Sequence, residues 1–326
     1  MNLTTNRARL RAGALAAAAA LALAGCGGDQ GGSEGGEGGR LSIATGNTTG
    51  VYYQLGGGYA RLIGQHVDGY TATAEATGAS VENIKRVVAG DSDIAFTLAD
   101  SAADAVNGKG EFDGKQPIRA LSRIYTNYTQ VAARTDSGIT DVASMRGKAI
   151  STGSPGSGTE VIAMRVLRAA GLDPDRDVRR QKLSLPETVQ AMKDGTVQGM
   201  FWSGGLPTSG ITDLTTSLKE QVRFVDLSGE LAALQQEYGD VYQPATLAPE
   251  VYQQPAAVQT IGVPNLLVVK DSMDAGLAEQ LTEILFKYQA DLVAVHPEAK
   301  NIKRETATET APVQLHPGSQ AYFDRS

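Results

Sequence analysis

The chain has 326 residues, 41% of them apolar and 20% charged, and its acidic side chains outnumber its basic ones by seven. That length allows one large or two ordinary domains, and the apolar share describes a soluble, globular protein rather than a disordered or membrane-integral one. The acidic balance and the lack of any basic stripe argue against nucleic acid as a partner.

The N-terminus reads as a segment outside the fold. MNLTTNRARLR places Arg7, Arg9 and Arg11 ahead of the apolar run AGALAAAAALALA. That run is too short to span a bilayer, which takes about 20 residues, so residues 1–25 read as a signal peptide. Leu23-Ala24-Gly25-Cys26 resembles the lipobox of bacterial lipoproteins. The resemblance implies that Cys26 is lipidated on sulfur and becomes the mature N-terminus; the alternative is an ordinary signal peptide followed by a chance cysteine. Cys26 is the single cysteine, so no intrachain disulfide can form. Residues 26–40 are Cys26 followed by GGDQGGSEGGEGGR (27–40), which is glycine-rich, has no apolar side chain and forms a flexible tether. Its reach is roughly 20 Å r.m.s.. The expected location is extracytoplasmic, on the outer face of the plasma membrane or in a periplasm, with the lipid as the only membrane attachment.

From Leu41 onward, strand-like and helix-like runs alternate. LSIAT precedes GNTTG and then VYYQLGGGYARLIGQHV; YTATAEA precedes TGAS and then VENIKRVVAG. GKAIS precedes TGSPGSGTE and then VIAMRVLRAAG. In each case a β-type run meets a Thr-Gly pair and small polar residues before an apolar-periodic helix. Further strands are predicted at DIAFTL, QVAART, QGMFW, VRFVDL and TIGVPNLLVVK. The β-α-β-α order predicts an α/β architecture with mainly parallel sheets. Near the C-terminus, SMDAGLAEQLTEILFKYQADLVAVHPEA spaces Leu277, Leu281, Ile284, Leu285 and Leu292 as the core face of one long helix.

The three Thr-Gly loops are the candidate chemistry. Ligands of open α/β sheets bind where strands end and helices begin. A helix N-terminus there offers unpaired N–H groups and about half a positive charge, which suits a carboxylate. Enzyme motifs fail at the third loop. No lysine follows Gly158 for a P-loop, Gly156-x-Gly158 is not completed to G-x-G-x-x-G, and neither Ser154 nor Ser157 has nucleophile-elbow flanks. His66, His296 and His316 have no metal-ligand spacing. No catalytic residue, metal or cofactor is expected. The competing explanation for the third loop is a capping box, Ser157-Gly158-Thr159-Glu160, which would use only some of the free amides.

Taken in order, ATGNTTGVYYQLGG, ATGASVENI, GSPGSGTE and LHPGSQAYF resemble the signatures of the TAXI family, the extracytoplasmic solute-binding subunits of TRAP transporters. The resemblance runs from Leu41 to the C-terminus. It implies a two-lobe, periplasmic-binding-protein-like fold of type II character with the ligand in the cleft between lobes. Lobe one would comprise residues 41–135 plus 260–326 and lobe two residues 136–259, the chain crossing near Ala133–Thr140 and again near Val258–Val263. It implies a monomer that delivers glutamate, glutamine or a related small carboxylate to TRAP membrane subunits, separate or fused. A ligand-sensing lipoprotein of the same fold, reporting to a sensor kinase, is the alternative.

Ligand contacts carried over from the motifs are Thr45, Asn47, Gly50, Val51 and Tyr52 in the first loop and Thr77, Gly78, Ser80 and Asn83 in the second. Ser154, Ser157, Gly158 and Thr159 follow from the third loop, and Trp202 and Pro207 from FWSGGLP. Tyr52 and Trp202 fit a packed core equally well. An amino-acid ligand would need an oxygen for its ammonium, for which Glu75, Asp100 and Glu160 are the candidates.

Overall fold

The structure is a computed structural model that describes residues 38–325; the leader, Cys26 and the tether up to residue 37 lie outside the described residues. Strand and helix alternate first through β1 (Arg40–Ala44), α1 (Val51–His66), β2 (Thr71–Glu75), α2 (Ser80–Ala89), β3 (Ile94–Leu98) and α3 (Ala99–Asn107). A long strand, β4 (Ile118–Arg134), leads to β5 (Ala149–Ser151), α4 (Gly158–Ala169), β6 (Arg179–Gln181), α5 (Leu185–Lys193) and β7 (Gly199–Gly204). Then come α6 (Ser209–Leu218), β8 (Val222–Phe224), α7 (Ser228–Tyr238), β9 (Gln243–Leu247) and α8 (Pro249–Tyr252). The second long strand, β10 (Val258–Lys270), returns to α9 (Ala275–Lys287), α10 (Gln289–Val295) and α11 (Pro317–Asp324).

The strands follow the path β2-β1-β3-β10-β4-β7-β5-β6, with β8 beside β4 and β9 beside β10. Both flanks are parallel: β1 with β2 and β3, and β5 with β6 and β7. The centre is not. β10 runs antiparallel to β3, β4 and β9, and β4 antiparallel to β7 and β8. The expectation of mainly parallel sheets is corrected at this point, because the two strands that carry the chain out and back run in opposite directions.

At 17 and 13 residues, β4 and β10 greatly exceed an ordinary strand of about 5–6. Their ends sit in different cores. Leu121, Ile124 and Tyr125 of β4, with Leu267 and Val269 of β10, pack among α1, α9 and α10. Val131 and Ala133 of β4, with Ile261 and Val263 of β10, pack instead against Ile162, Val166 and Phe201. Two lobes of mixed α/β structure result, joined through one pair of strands. β4 continues unbroken to Arg134, and β7 pairs with it from Tyr128. The C-terminal helix is two helices, α9 and α10, interrupted at Tyr288 (φ −112°, ψ 28°), whose ring stacks on His66 at 3.7 Å. Leu277, Leu281, Ile284, Leu285 and Leu292 are all buried as the spacing predicts.

Candidate functional site

Helix α1 starts without a side-chain cap. Gly50 is extended (φ −97°, ψ 162°), its N–H turned back onto the Asn47 carbonyl at 2.9 Å. No acceptor among the described residues meets the N–H groups of Val51 or Tyr52, the first two of the helix. Helix α2 starts from Ala79 at φ 87°, a left-handed value that costs a residue with a Cβ about 1–3 kcal/mol. Thr77 holds that turn: its Oγ1 accepts the Ala79 N–H at 3.0 Å and donates to Asn83 Oδ1 at 2.5 Å. The amide of Asn83 is anchored in turn on the Thr45 and Phe96 carbonyls at 2.6 and 2.8 Å.

At α4, Ser157 Oγ accepts the Glu160 N–H at 2.9 Å. The Glu160 carboxylate reaches back to the Gly156 N–H, also at 2.9 Å. Ser157 caps the helix where the box predicts, the Glu160 carboxylate returns to Gly156 instead of Ser157, and the N–H groups of Gly158 and Thr159 are left without a described acceptor. Capping and an open helix tip coexist here.

The three tips converge on one cavity of about 30 Å³. Lobe one contributes Gly46, Asn47, Gly50–Tyr52, Gly78–Ser80, Leu98, Tyr125 and Asn127 to its wall; lobe two contributes Ser154, Ser157–Thr159 and 202–205. Among the described residues, no charged side chain lines it. The lobes are shut on each other. Asn47 donates to Ser154 Oγ at 3.3 Å and accepts the Leu185 N–H at 2.6 Å. Val81 and Glu82, at the start of α2, both donate to the Gly156 carbonyl at 3.1 Å. Close approach depends on glycine. A Cβ on Gly158 would lie 2.4 Å from Leu98 Cδ1, and one on Gly78 would lie 2.7 Å from the Pro155 carbonyl.

A model of the NMT1-like family matches residues 43–325. The chain belongs to the NMT1-like family. Its fold is similar to a binding protein component of an ABC phosphonate transporter from Pseudomonas aeruginosa, at 14% identity and TM-score 0.57 over 81% of this chain and 80% of that one. It is also similar to MatC from Rhodopseudomonas palustris with bound malate, at 14% identity and TM-score 0.53 over 88% of this chain and 97% of that one. At such identities the likeness is one of fold, the two-lobe architecture of periplasmic binding proteins.

In this NMT1-like protein, eleven of the sequence-predicted contacts reach the cavity: Asn47, Gly50, Val51, Tyr52, Gly78, Ser80, Ser154, Ser157, Gly158, Thr159 and Trp202. Four stand behind its wall. Thr45 is fully buried, with its hydroxyl on the Glu75 carbonyl at 2.6 Å. Thr77 and Asn83 brace the α2 turn as described. The carbonyl of Pro207 faces His296 Nε2 at 3.1 Å. These four position the wall rather than form it, because their polar atoms are consumed by neighbouring backbone and side chains.

Tyr52 serves both roles weighed for it. Its ring packs on Phe96 at 5.3 Å, its hydroxyl donates to Asn265 Oδ1, and its edge lines the cavity. Burial pushes its phenol far above the usual range. Trp202 donates to Thr208 Oγ1 at 3.1 Å and lays its indole against Gly50, 3.4 Å from where a Cβ would sit.

Tyr125, Asn127, Leu98 and 203–205 are wall residues beyond those read from the motifs. Asn265 donates to Asn127 Oδ1 at 2.9 Å and Asn127 donates to the Ser203 carbonyl at 3.2 Å, so an amide chain joins the two crossing strands to the second lobe. The hydroxyls of Tyr125 and Ser203 are buried without a partner. One signal for these residues was available: buried polar side chains such as Ser122, Asn127, Thr129 and Gln130 interrupt an otherwise apolar strand.

The three acids offered for a ligand ammonium are all engaged elsewhere. Glu75 pairs with Arg86, and Glu160 with Lys182 at 2.8 Å. Asp100 accepts from Tyr242 at 2.7 Å and faces Arg165 at 3.6 Å. Among the described residues, no set of three or more His, Cys, Asp or Glu side chains is placed to hold a metal, and no helix is long and apolar enough to cross a membrane.

Proposed function

We propose that this chain is an extracytoplasmic solute-binding protein whose lobes close on a small carboxylate and present it to a membrane transporter. One observation carries the proposal: N-termini of helices from both lobes meet at one cavity, with backbone N–H groups of Val51, Tyr52, Gly158 and Thr159 left without acceptors among the described residues. Each tip supplies about half a positive charge. An anion between them satisfies amides from both lobes and so favours the closed state over the open one, which is how a ligand drives hinge closure. Membership of the NMT1-like family and the fold likeness to binding proteins support it.

The order of the TAXI-like motifs favours a TRAP-type partner, with glutamate or glutamine as first candidates, and the wall formed by the Asn47 to Tyr52, Gly78 to Ser80 and Ser154 to Thr159 loops as its binding surface. The phosphonate transporter component among the structural neighbours supports an ABC-type partner as the second reading. Cys26 is proposed as the lipid anchor, a claim that mass spectrometry of the mature N-terminus checks directly. Isothermal titration of the purified protein with a panel of small carboxylates, phosphonates and neutral sugars tests the central claim. Saturable binding confined to the anionic members is expected; binding of a sugar in preference to every anion would refute it.

A further inference from the structure

The free polar atoms of the cavity are of one kind. The N–H groups of Val51, Tyr52, Gly158 and Thr159 and the O–H groups of Tyr125 and Ser203 all have a proton to give. Most acceptors around them are already occupied, the exception being Gln130 Oε1, buried without a partner behind the Gly204 carbonyl that its Nε2 holds. Asn47 Oδ1 receives the Leu185 N–H, Asn127 Oδ1 receives Asn265, and the Ser203, Gly204 and Gly205 carbonyls receive Asn127, Gln130 and Thr208. Two carboxyl groups stand close behind the wall: that of Glu82 accepts the Gly78 N–H at 2.8 Å, and the other belongs to Glu298. It is screened by Gly205, whose added Cβ would meet Glu298 Cγ at 2.9 Å and the Tyr125 ring at 3.0 Å. Its oxygens already accept from the Leu206 N–H and the Asn301 amide, each at 3.3 Å.

A buried ammonium group needs a carboxylate or several carbonyl oxygens, and an unpaired buried charge is strongly disfavoured. Here it would face three positive helix ends and hydroxyls that offer only a weak, neutral lone pair. A carbonyl oxygen in the same place would accept from Tyr125 and Ser203 instead, supplying the partners those buried groups lack.

We propose that the cleft selects a small 2-oxo carboxylic acid over the amino acid of the same carbon skeleton. This rests on the binding-protein function proposed above and narrows its ligand to a carboxylate with a second acceptor and no cationic group. The carboxylate lies on the amides of the helix tips, and the 2-oxo oxygen takes the Tyr125 and Ser203 hydroxyl protons.

Matched pairs that differ only at C2 test it: pyruvate against alanine, 2-oxoisovalerate against valine, and 2-oxoglutarate against glutamate, each titrated into the purified full chain by calorimetry. In the best-binding pair the oxo acid is expected to bind at least about thirtyfold more tightly, the combined effect of two hydrogen bonds gained and a buried charge avoided. Tyr125→Phe and Ser203→Ala remove hydroxyls that hold nothing else in the protein, so the fold is retained. Each should weaken the oxo acid about tenfold and leave the amino acid unchanged. Equal or tighter binding of the amino acid overturns the proposal while leaving the carboxylate-binding function intact. Failure of all six compounds, with a carboxylate of another class bound, also overturns it; failure of every carboxylate overturns the function it rests on.

Discussion

Replacing Gly158 by alanine separates closure from folding. Gly158 is the first residue of α4 in the second lobe, and its backbone is helical, so alanine fits the local conformation without strain. The added methyl carbon points across the cleft, 2.4 Å from Leu98 Cδ1 and 2.7 Å from Ser80 Oγ at the ends of two first-lobe elements. Neither distance is tolerable for carbon, so the lobes must part or both neighbours must shift. Overpacking of this kind costs about 1–3 kcal/mol. If the cost falls on the closed state alone, the dissociation constant rises by about 5- to 150-fold, at roughly 1.4 kcal/mol per tenfold. With the lobes parted the methyl group meets solvent, and the lost glycine flexibility stabilises the fold by up to about 1 kcal/mol. Calorimetric titration and thermal unfolding of the ligand-free protein, run on the same preparation, read the two effects. Weakened binding with an unchanged or raised melting temperature is expected. An unchanged dissociation constant would mean that the ligand-bound cleft does not close at this contact, and a lowered melting temperature with intact affinity would mean that Gly158 serves packing alone.

Arg165→Met should disturb the lobe interface away from the cavity: it strips the cation from Asp100 and Asp104, the latter 2.5 Å from Arg165 Nη2, at a cost of about 3–5 kcal/mol that denaturant titration would detect. Trp202, the single tryptophan, is packed against Gly50 across the cleft, so ligand-driven closure should shift its emission to shorter wavelength; saturating ligand with no spectral change would contradict that contact. Burial holds the His296 imidazole below its usual 6.5, so its neutral form is the one the fold favours. The stability it contributes is present above about 6.5 and is lost as pH falls through the lower folded value. Burial raises Glu298, whose contribution has the opposite sign and fades as pH rises. Comparing thermal midpoints of the parent and His296→Asn across that range isolates the histidine, and identical slopes would refute its role.

The helix tips were legible because glycine, hydroxyl residues and the switch from period two to period 3.6 all occur within a few positions of Gly50, Gly78 and Gly158. What separates wall from brace was not. Thr45 and Gly46 are adjacent in sequence, yet only Gly46 meets the cavity, because the Thr45 hydroxyl turns onto the neighbouring strand at Glu75. The first half of β4 escaped notice because its buried face carries Ser122 and Asn127 instead of an apolar alternation. The partner of those polar groups is Asn265, 138 residues from Asn127, so no local pattern could announce it. The antiparallel centre was hidden for the same reason: strand direction is set by which distant segments pair, and the short-range alternation reports only the flanks.

The most direct measurement is a crystal structure of the protein with its tightest-binding carboxylate. The ligand's carboxylate oxygens should lie within hydrogen-bonding distance of amides from both lobes, those of Val51 or Tyr52 on one side and Gly158 or Thr159 on the other. A carboxylate bound to one lobe only, or at a surface remote from Gly50 and Gly158, would contradict the clamp.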